Sequence, residues 1–208
     1  MDYDDAPGPT ELGNWYMRIE PDEAYIDSDT YLTELFAEGN GKNLFNEIPD
    51  ELFNYQTLID LSLVNGKMNS ISKRIGDLKN LENLELMKNN LTKIPSSIGK
   101  LSKLEVLNLS NNPITMLPSS IGNLVNLAKL NLGNTLITTL PLSISKLTQL
   151  NELIMPDSFY NIPTPIKAWL NSIKVYKGPN RDIGRSIKGI RGGGSKSKEE
   201  FIDICCVQ

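Results

Sequence analysis

The sequence predicts an α/β repeat fold, in which short strands stack into a parallel sheet and short helical or 3₁₀ segments return the chain between them. Three observations predict it: a 23-residue self-similarity, a two-residue alternation of leucines, and a composition that suits a packed core. Of the 208 residues, 39% are hydrophobic and 22% are charged, proportions typical of a globular chain. No apolar run approaches the ~18 residues of a membrane-spanning helix.

The strand half of the repeat is a Leu-x-x-Leu-x-Leu spacing. Five copies begin 23 residues apart, at Leu58, Leu81, Leu104, Leu127 and Leu150, and the fifth copy ends in Met155. The alternation at the end of each copy predicts a strand with one buried face. The other half, for example Pro95-Ser-Ser-Ile98-Gly99-Lys-Leu101, has three- and four-residue spacings, which favour a short helical or 3₁₀ return.

A single repeat is too small to fold alone. The apolar side chains of one repeat do not offset the conformational entropy lost when 23 residues are ordered. Stacked repeats bury each other's open ends, so the sequence predicts a continuous solenoid whose end repeats must be capped.

The unit from Leu81 to Leu101, with Asn89 at its centre, resembles the leucine-rich repeat family. It is similar to the 23-residue form found in the Ras-suppressor and plant Ras-group scaffold subfamilies, most of which act inside cells. The resemblance covers roughly residues 35–172, and it implies strands on a concave face and returns on a convex face.

The resemblance also implies a ladder of buried asparagines that cap backbone groups between turns. Asparagine stands at three of the expected places, Asn43, Asn89 and Asn112. Gly66, Thr135 and Ser158 stand at the others. The ladder is therefore expected to be interrupted.

Charge divides the chain unevenly. Residues 1–57 hold 14 acidic residues against two basic ones, whereas residues 58–171 and 172–208 each have an excess of four positive charges. Together with the repeat, this predicts an acidic N-terminal segment and cap over 1–34, repeats with a C-terminal cap helix over 35–172, a basic flexible linker over 173–200 and a tail over 201–208.

Both caps are predicted to be helical. Residues 29–36 read as a short amphipathic helix at the front. Residues 165–173 read as a helix that lays Ile166, Trp169, Leu170 and Ile173 over the final turn.

Composition argues against an enzyme, a metal site or a cofactor. The chain has no histidine, the commonest proton shuttle and metal ligand. Its two cysteines, Cys205 and Cys206, lie within the last four residues and cannot build a disulfide framework or a zinc site. Residues 1–13 contain no lysine or arginine, so no secretory leader is expected. No catalytic residue is predicted.

The concave face supplies the candidate partner-binding residues, because side chains beside the buried leucines point outward. They fall in columns, and the candidates are Asp60, Asn83, Glu85, Met87, Val106, Asn108, Lys129, Asn131, Glu152 and Ile154. No aromatic residue is expected in these columns. The alternative reading is an ordinary solvated sheet face.

The last four residues, Cys205-Cys206-Val207-Gln208, look like a prenylation box with Cys205 as acceptor. Gln208 suggests a farnesyl group. The double cysteine, with Cys206 as a second candidate acceptor, also resembles the double-cysteine ends of some small GTPases, so farnesyl and geranylgeranyl both remain possible. One lipid needs a second membrane signal, and six basic residues could supply it: Arg181, Arg185, Lys188, Arg191, Lys196 and Lys198. The alternative is two unmodified thiols.

These features predict a monomeric, non-catalytic scaffold at the cytosolic face of a membrane, with a protein partner and no nucleic acid. By the resemblance, the partner is a small GTPase or another signalling component. The source is a eukaryote, or a bacterium whose effector is modified by a host prenyltransferase. Two alternatives remain, a ubiquitin-ligase adaptor that recruits through acidic residues 1–30 and a soluble repeat protein with an unmodified tail.

Overall fold

The computed structural model describes residues 16–19, 32–38, 46–157, 159, 162 and 164–178. They form one eight-stranded sheet whose strands follow in chain order. The strands are β1 (Tyr16–Ile19), β2 (Leu32–Glu38), β3 (Asp60–Val64), β4 (Asn83–Glu85), β5 (Val106–Asn108), β6 (Lys129–Asn131), β7 (Glu152–Ile154) and β8 (Val175–Lys177). Strands β2 to β8 are parallel, and β1 is antiparallel to β2. The predicted leucine-rich-repeat solenoid is confirmed.

The returns between the described repeats are 3₁₀ turns. They span Asp50–Asn54, Lys73–Asp77, Ser96–Lys100, Ser119–Asn123 and Leu142–Lys146. Proline precedes four of them, for example Pro95 with φ −67°, where its fixed φ suits the start of a helical turn and its missing N–H costs no bond. Each turn closes in the same way, as when the Leu101 N–H donates to the Ile98 carbonyl at 3.1 Å.

The core lies between the sheet and the 3₁₀ turns. The repeat leucines and isoleucines are buried along the whole stack, and Phe53 and Phe159 are fully buried towards its two ends. Strands β4, β5 and β7 each show one buried residue between two partly exposed ones. The core is therefore a continuous column of aliphatic side chains.

Buried asparagines join consecutive coils. The Asn112 side chain accepts from the Leu91 N–H at 3.0 Å and donates to the carbonyls of Leu86 and Leu109 at 2.8 and 3.0 Å. Asn89 makes the equivalent contacts one coil earlier. Thr135 bonds only to its own coil, through Leu132, so the ladder is interrupted there as expected. Asn43 and Ser158 lie outside the described residues.

Three glycines permit the coils to stack closely. A Cβ atom on Gly76 would lie 2.6 Å from the Ser97 carbonyl oxygen, and Gly99 and Gly122 face Ser120 and Ser143 in the same way. Real Cβ atoms essentially never come so close. Glycine is therefore required by the spacing between successive turns.

The predicted front helix over 29–36 is wrong in its described part, since residues 32–38 form strand β2. Leu35 and Ala37 are buried opposite Leu61 and Leu63 of β3, while Phe36 and Glu38 are exposed. The helical spacing is overridden because an extended chain here buries Leu35 and Ala37 and pairs with the open edge of β3. Residues 29–31 lie outside the described part.

The predicted back helix is present as α1 (Thr164–Leu170). Ile166, Trp169 and Leu170 are buried, with Ile173 just beyond, and the Trp169 indole N–H donates to the Leu147 carbonyl at 3.2 Å. The sheet continues past the predicted end of the repeats at 172, because β8 pairs with β7. The other segment boundaries stay predictions. No helix in the described ranges is long and apolar enough to cross a membrane.

Candidate functional site

The side of the sheet opposite the core, called here the sheet face, carries outward side chains in register. Strand pairing aligns one row as Glu34, Asp60, Asn83, Val106, Lys129, Glu152 and Val175. It aligns a second row as Phe36, Ser62, Glu85, Asn108, Asn131, Ile154 and Lys177. The ten residues predicted to bind a partner thus share one surface, with Met87 just beyond the end of β4. Their binding role stays a prediction.

Hydrogen bonds fix the orientation of several amides on this face. Asn83 donates to the Asp60 carboxylate, across neighbouring strands. The Asn108 amide oxygen accepts from the N–H and hydroxyl of Ser110, at 3.1 and 2.8 Å. Asn131 accepts from the Gly133 N–H at 3.0 Å in the equivalent turn. Such side-chain-to-backbone bonds end the strands and hold the amides in place.

The sheet face is electrostatically polarised along the stack. Strands β2 to β4 contribute only carboxylates as charged groups, namely Glu34, Glu38, Asp60 and Glu85. Strands β6 to β8 contribute Lys129, Glu152 and Lys177. Burial first, and the charge of Asp60 second, raise the pKa of Glu85 above its usual value. The acidic end would therefore be stabilised by a cationic group of a partner.

This raised pKa predicts a pH-dependent effect of Glu85→Gln. Since the pKa is raised in the folded state, the wild-type carboxyl disfavours folding once it is ionised, above that pKa. We expect the variant to be more stable than wild type at pH 7, and the gain to vanish on acidification below the ordinary pKa of a glutamate. Urea unfolding at a series of pH values measures this.

Glu105→Gln is the matched control, because the Glu105 side chain is exposed. It should show no comparable gain at pH 7. A gain for Glu85→Gln that persists unchanged at acid pH would contradict the assignment to ionisation.

Sequence reasoning missed both ends of the sheet face. The β2 residues Glu34, Phe36 and Glu38 were hidden because Leu35 pairs with Leu61, 26 residues away rather than 23. The signal for β8 was present, since Ile173 and Tyr176 follow Leu150 and Leu153 by one repeat length. Phe36 places an aromatic ring, 36% exposed, in the second row.

The tail candidates lie outside the described residues. These are Cys205, Cys206, Arg181, Arg185, Lys188, Arg191, Lys196 and Lys198. Within the described ranges, no group of three or more His, Cys, Asp or Glu residues could hold a metal ion.

A family model described as "Leucine rich repeat" matches residues 79–137, the part of the chain where the 3₁₀ turns and the buried asparagines are most regular. Residues 79–137 thus contain leucine-rich repeats, within a leucine-rich-repeat solenoid fold. The leucine-rich repeat is generally a non-catalytic fold for protein interaction. The more specific 23-residue subfamily stays a prediction.

Solved structures are similar to this chain over 64–71% of its length. A leucine-rich repeat protein of Leptospira interrogans is 28% identical with a TM-score of 0.61, over 71% of this chain and 38% of that one. The ectodomain of the Arabidopsis thaliana receptor kinase GASSHO1/SCHENGEN3, solved in complex with CASPARIAN STRIP INTEGRITY FACTOR 2, is 35% identical with a TM-score of 0.59, over 71% and 18%. An internalin of Listeria monocytogenes is 25% identical with a TM-score of 0.52, over 64% and 38%.

The chain thus spans between 18% and 38% of the length of these leucine-rich repeat structures. No curated protein matches it significantly.

Proposed function

We propose that this protein is a non-catalytic scaffold that binds a protein partner on the sheet face and is held at a cytosolic membrane surface by a prenylated basic tail. One observation carries the partner-binding part: seven parallel strands align their outward side chains into continuous rows. Such rows can contact an extended stretch of another chain.

The size of the sheet face suits a protein contact. Seven strands at about 4.8 Å spacing span roughly 29 Å, enough for one side of a standard interface of about 800 Å² per partner. Val106, Met87 and Ile154 offer apolar contacts between the charged ends, and Phe36 adds an aromatic ring.

Charge sets the orientation of the partner. A segment that is basic where it meets Asp60 and Glu85, and acidic where it meets Lys129, would bind in one direction only. By the family resemblance, a small GTPase or another signalling component is the proposed partner. The GASSHO1/SCHENGEN3 ectodomain, whose structure includes a bound factor, supports a protein partner in general terms.

The tail part of the proposal rests on sequence. A prenyl chain on Cys205 alone would give marginal membrane residence, and each basic residue near an anionic leaflet adds about 1 kcal/mol. The prenyltransferase is the cell's own, or that of a host cell if the protein is a delivered bacterial effector.

Affinity capture from cytosol tests the partner-binding part with two matched valines. Val106 lies in the first row of the sheet face, whereas Val125 is exposed two residues after the 3₁₀ turn Ser119–Asn123. We expect Val106→Arg to reduce recovery of the partner at least tenfold, since a buried arginine would be placed in the contact, and Val125→Arg to leave recovery unchanged. Equal recovery by both variants would rule out binding at this face.

Metabolic labelling with a prenyl analogue tests the tail independently. Label should enter the wild-type chain and be lost in Cys205→Ser. Equal labelling of the two chains, or no labelling of either, would remove the lipid from the proposal.

A further inference from the structure

A second surface lies between the sheet and the 3₁₀ turns and is separate from the sheet face. It is formed by four equivalent seven-residue segments, 67–73, 90–96, 113–119 and 136–142, called here the lateral flank. Each segment leads to the first residue of a 3₁₀ turn. The Asn90 N–H donates to the Met68 carbonyl and the Leu136 N–H to the Ile114 carbonyl, both at 2.9 Å. Equivalent positions of neighbouring segments are therefore side by side.

The lateral flank contains no acidic residue, although acidic residues outnumber basic ones in the whole chain. Its charged residues are Lys67, Lys73 and Lys93, all exposed. The opposite side of the same coils, between the turns and the next strands, is different because it carries Glu82 and Glu105. On the same side of the preceding coil, residues 46–50 carry the exposed carboxylates Glu47 and Asp50, so the stretch without carboxylates begins at residue 67.

The later two segments of the flank expose aliphatic side chains. Met116, Leu136 and Leu142 are 61%, 56% and 61% exposed. The earlier coils place Lys93, Lys67 and Lys73 at the equivalent positions. The flank is therefore basic at one end and apolar at the other, and its remaining exposed residues are mostly threonine, serine and asparagine.

We propose that the lateral flank docks on an anionic lipid bilayer. Lysines beside exposed leucine and methionine are the composition of membrane-surface elements, in which the cations meet headgroups and the aliphatic groups enter the interface. Protein interfaces instead favour aromatic residues and arginine and are poor in lysine, and the flank contains no Trp, Tyr, Phe or Arg.

The inference deepens the membrane placement in the proposed function and rests on it. A docked flank supplies the second attachment that a single lipid requires. It also orients the solenoid. With the flank on the bilayer, the sheet face is not in contact with the bilayer and remains open to a partner.

Vesicle binding tests the flank with the full-length chain produced without a prenyltransferase, so that the lipid plays no part. The probe is a vesicle of phosphatidylcholine containing phosphatidylserine, with pure phosphatidylcholine as the neutral comparison. We expect binding to the anionic vesicles, a loss of at least tenfold in affinity for the triple variant Lys67→Glu/Lys73→Glu/Lys93→Glu, and a comparable loss for Met116→Asn/Leu136→Asn/Leu142→Asn.

Matched controls distinguish an effect of the flank from an effect of net charge or of exposed apolar surface elsewhere on the protein. Lys103→Glu/Lys146→Glu/Lys167→Glu changes the net charge by the same amount outside both the flank and the sheet face, and Val125→Asn removes an exposed apolar side chain outside the flank. Both should bind much more tightly than the flank variants. All substituted side chains are exposed, and unchanged thermal unfolding verifies that the variants fold.

Three outcomes would overturn the inference: no binding of the wild-type chain to anionic vesicles, flank variants that bind like wild type, or equal losses in the flank and control triples. Flank variants that bind vesicles fully but lose a captured cytosolic protein would show a protein-docking surface instead. Prenyl labelling and capture at the sheet face are read separately, so failure here is distinguishable from failure of the proposed function.

Discussion

Gly99→Ala is expected to lower the free energy of unfolding by about 3 kcal/mol. The new methyl group would be placed well inside van der Waals distance of the Ser120 carbonyl oxygen and Cβ atom in the next coil. The close atoms include backbone, so relief requires the two coils to move apart. Such a movement would strain the adjoining strand pairs and loosen the core packing on both sides. Urea unfolding followed by circular dichroism measures the loss.

Gly133→Ala is the matched control for this prediction. A Cβ atom there would meet the Asn131 side-chain oxygen at 3.2 Å and the Ile154 side chain at 3.5 Å, contacts that small side-chain shifts relieve. Its effect should be within about 1 kcal/mol of wild type. If both variants lose equal stability, close stacking of the coils is not the reason that glycine is required at residue 99.

Asn112→Ala is expected to cost a similar amount, about 3 kcal/mol. The asparagine side chain bonds the Leu91 N–H and the carbonyls of Leu86, Leu109 and Ser110. Alanine would leave a buried N–H and buried carbonyls without these partners, at roughly 1–3 kcal/mol for each group left unsatisfied, partly offset by local relaxation. Urea unfolding gives the total, and faster hydrogen exchange at the Leu91 amide should locate the opening.

Asn126→Ala provides the comparison for an exposed asparagine. Its side chain donates to the Ser102 carbonyl at 2.7 Å, also between coils, but at an exposed position. The loss should stay below about 1 kcal/mol because water replaces the bond. Similar losses at residues 112 and 126 would show that burial is not what makes the asparagine ladder important.

The repeating part of the fold could be predicted from sequence because each position of the 23-residue repeat has to meet one physical requirement. The leucine spacing requires a strand with one buried face, and Ile98-Gly99 requires a tight return that leaves room for the next coil. The outward columns follow from the same alternation, so the sequence predicts which residues of β3 to β7 lie on the sheet face.

The ends could not be predicted in the same way because no repeat constrains them on both sides. Strand β2 is offset by 26 residues and contains Leu32, Leu35 and Phe36 at helical spacing, so local pattern and tertiary pairing disagree there. Pairing with β3 decides the conformation. The lateral flank was missed for another reason: its meaning depends on which segments of successive coils lie side by side, and this required the three-dimensional arrangement.

Strand β1 has a consequence for self-assembly. A coil of parallel strands could in principle add further copies of itself end to end and grow into a filament, since such head-to-tail contacts do not close. Tyr16–Ile19 runs against β2, and antiparallel and parallel ladders differ in their hydrogen-bond spacing. A strand of another molecule that ran in the direction of β2 to β8 could therefore add to this front edge only as an antiparallel pair, not by the parallel pairing that joins the coils within the stack.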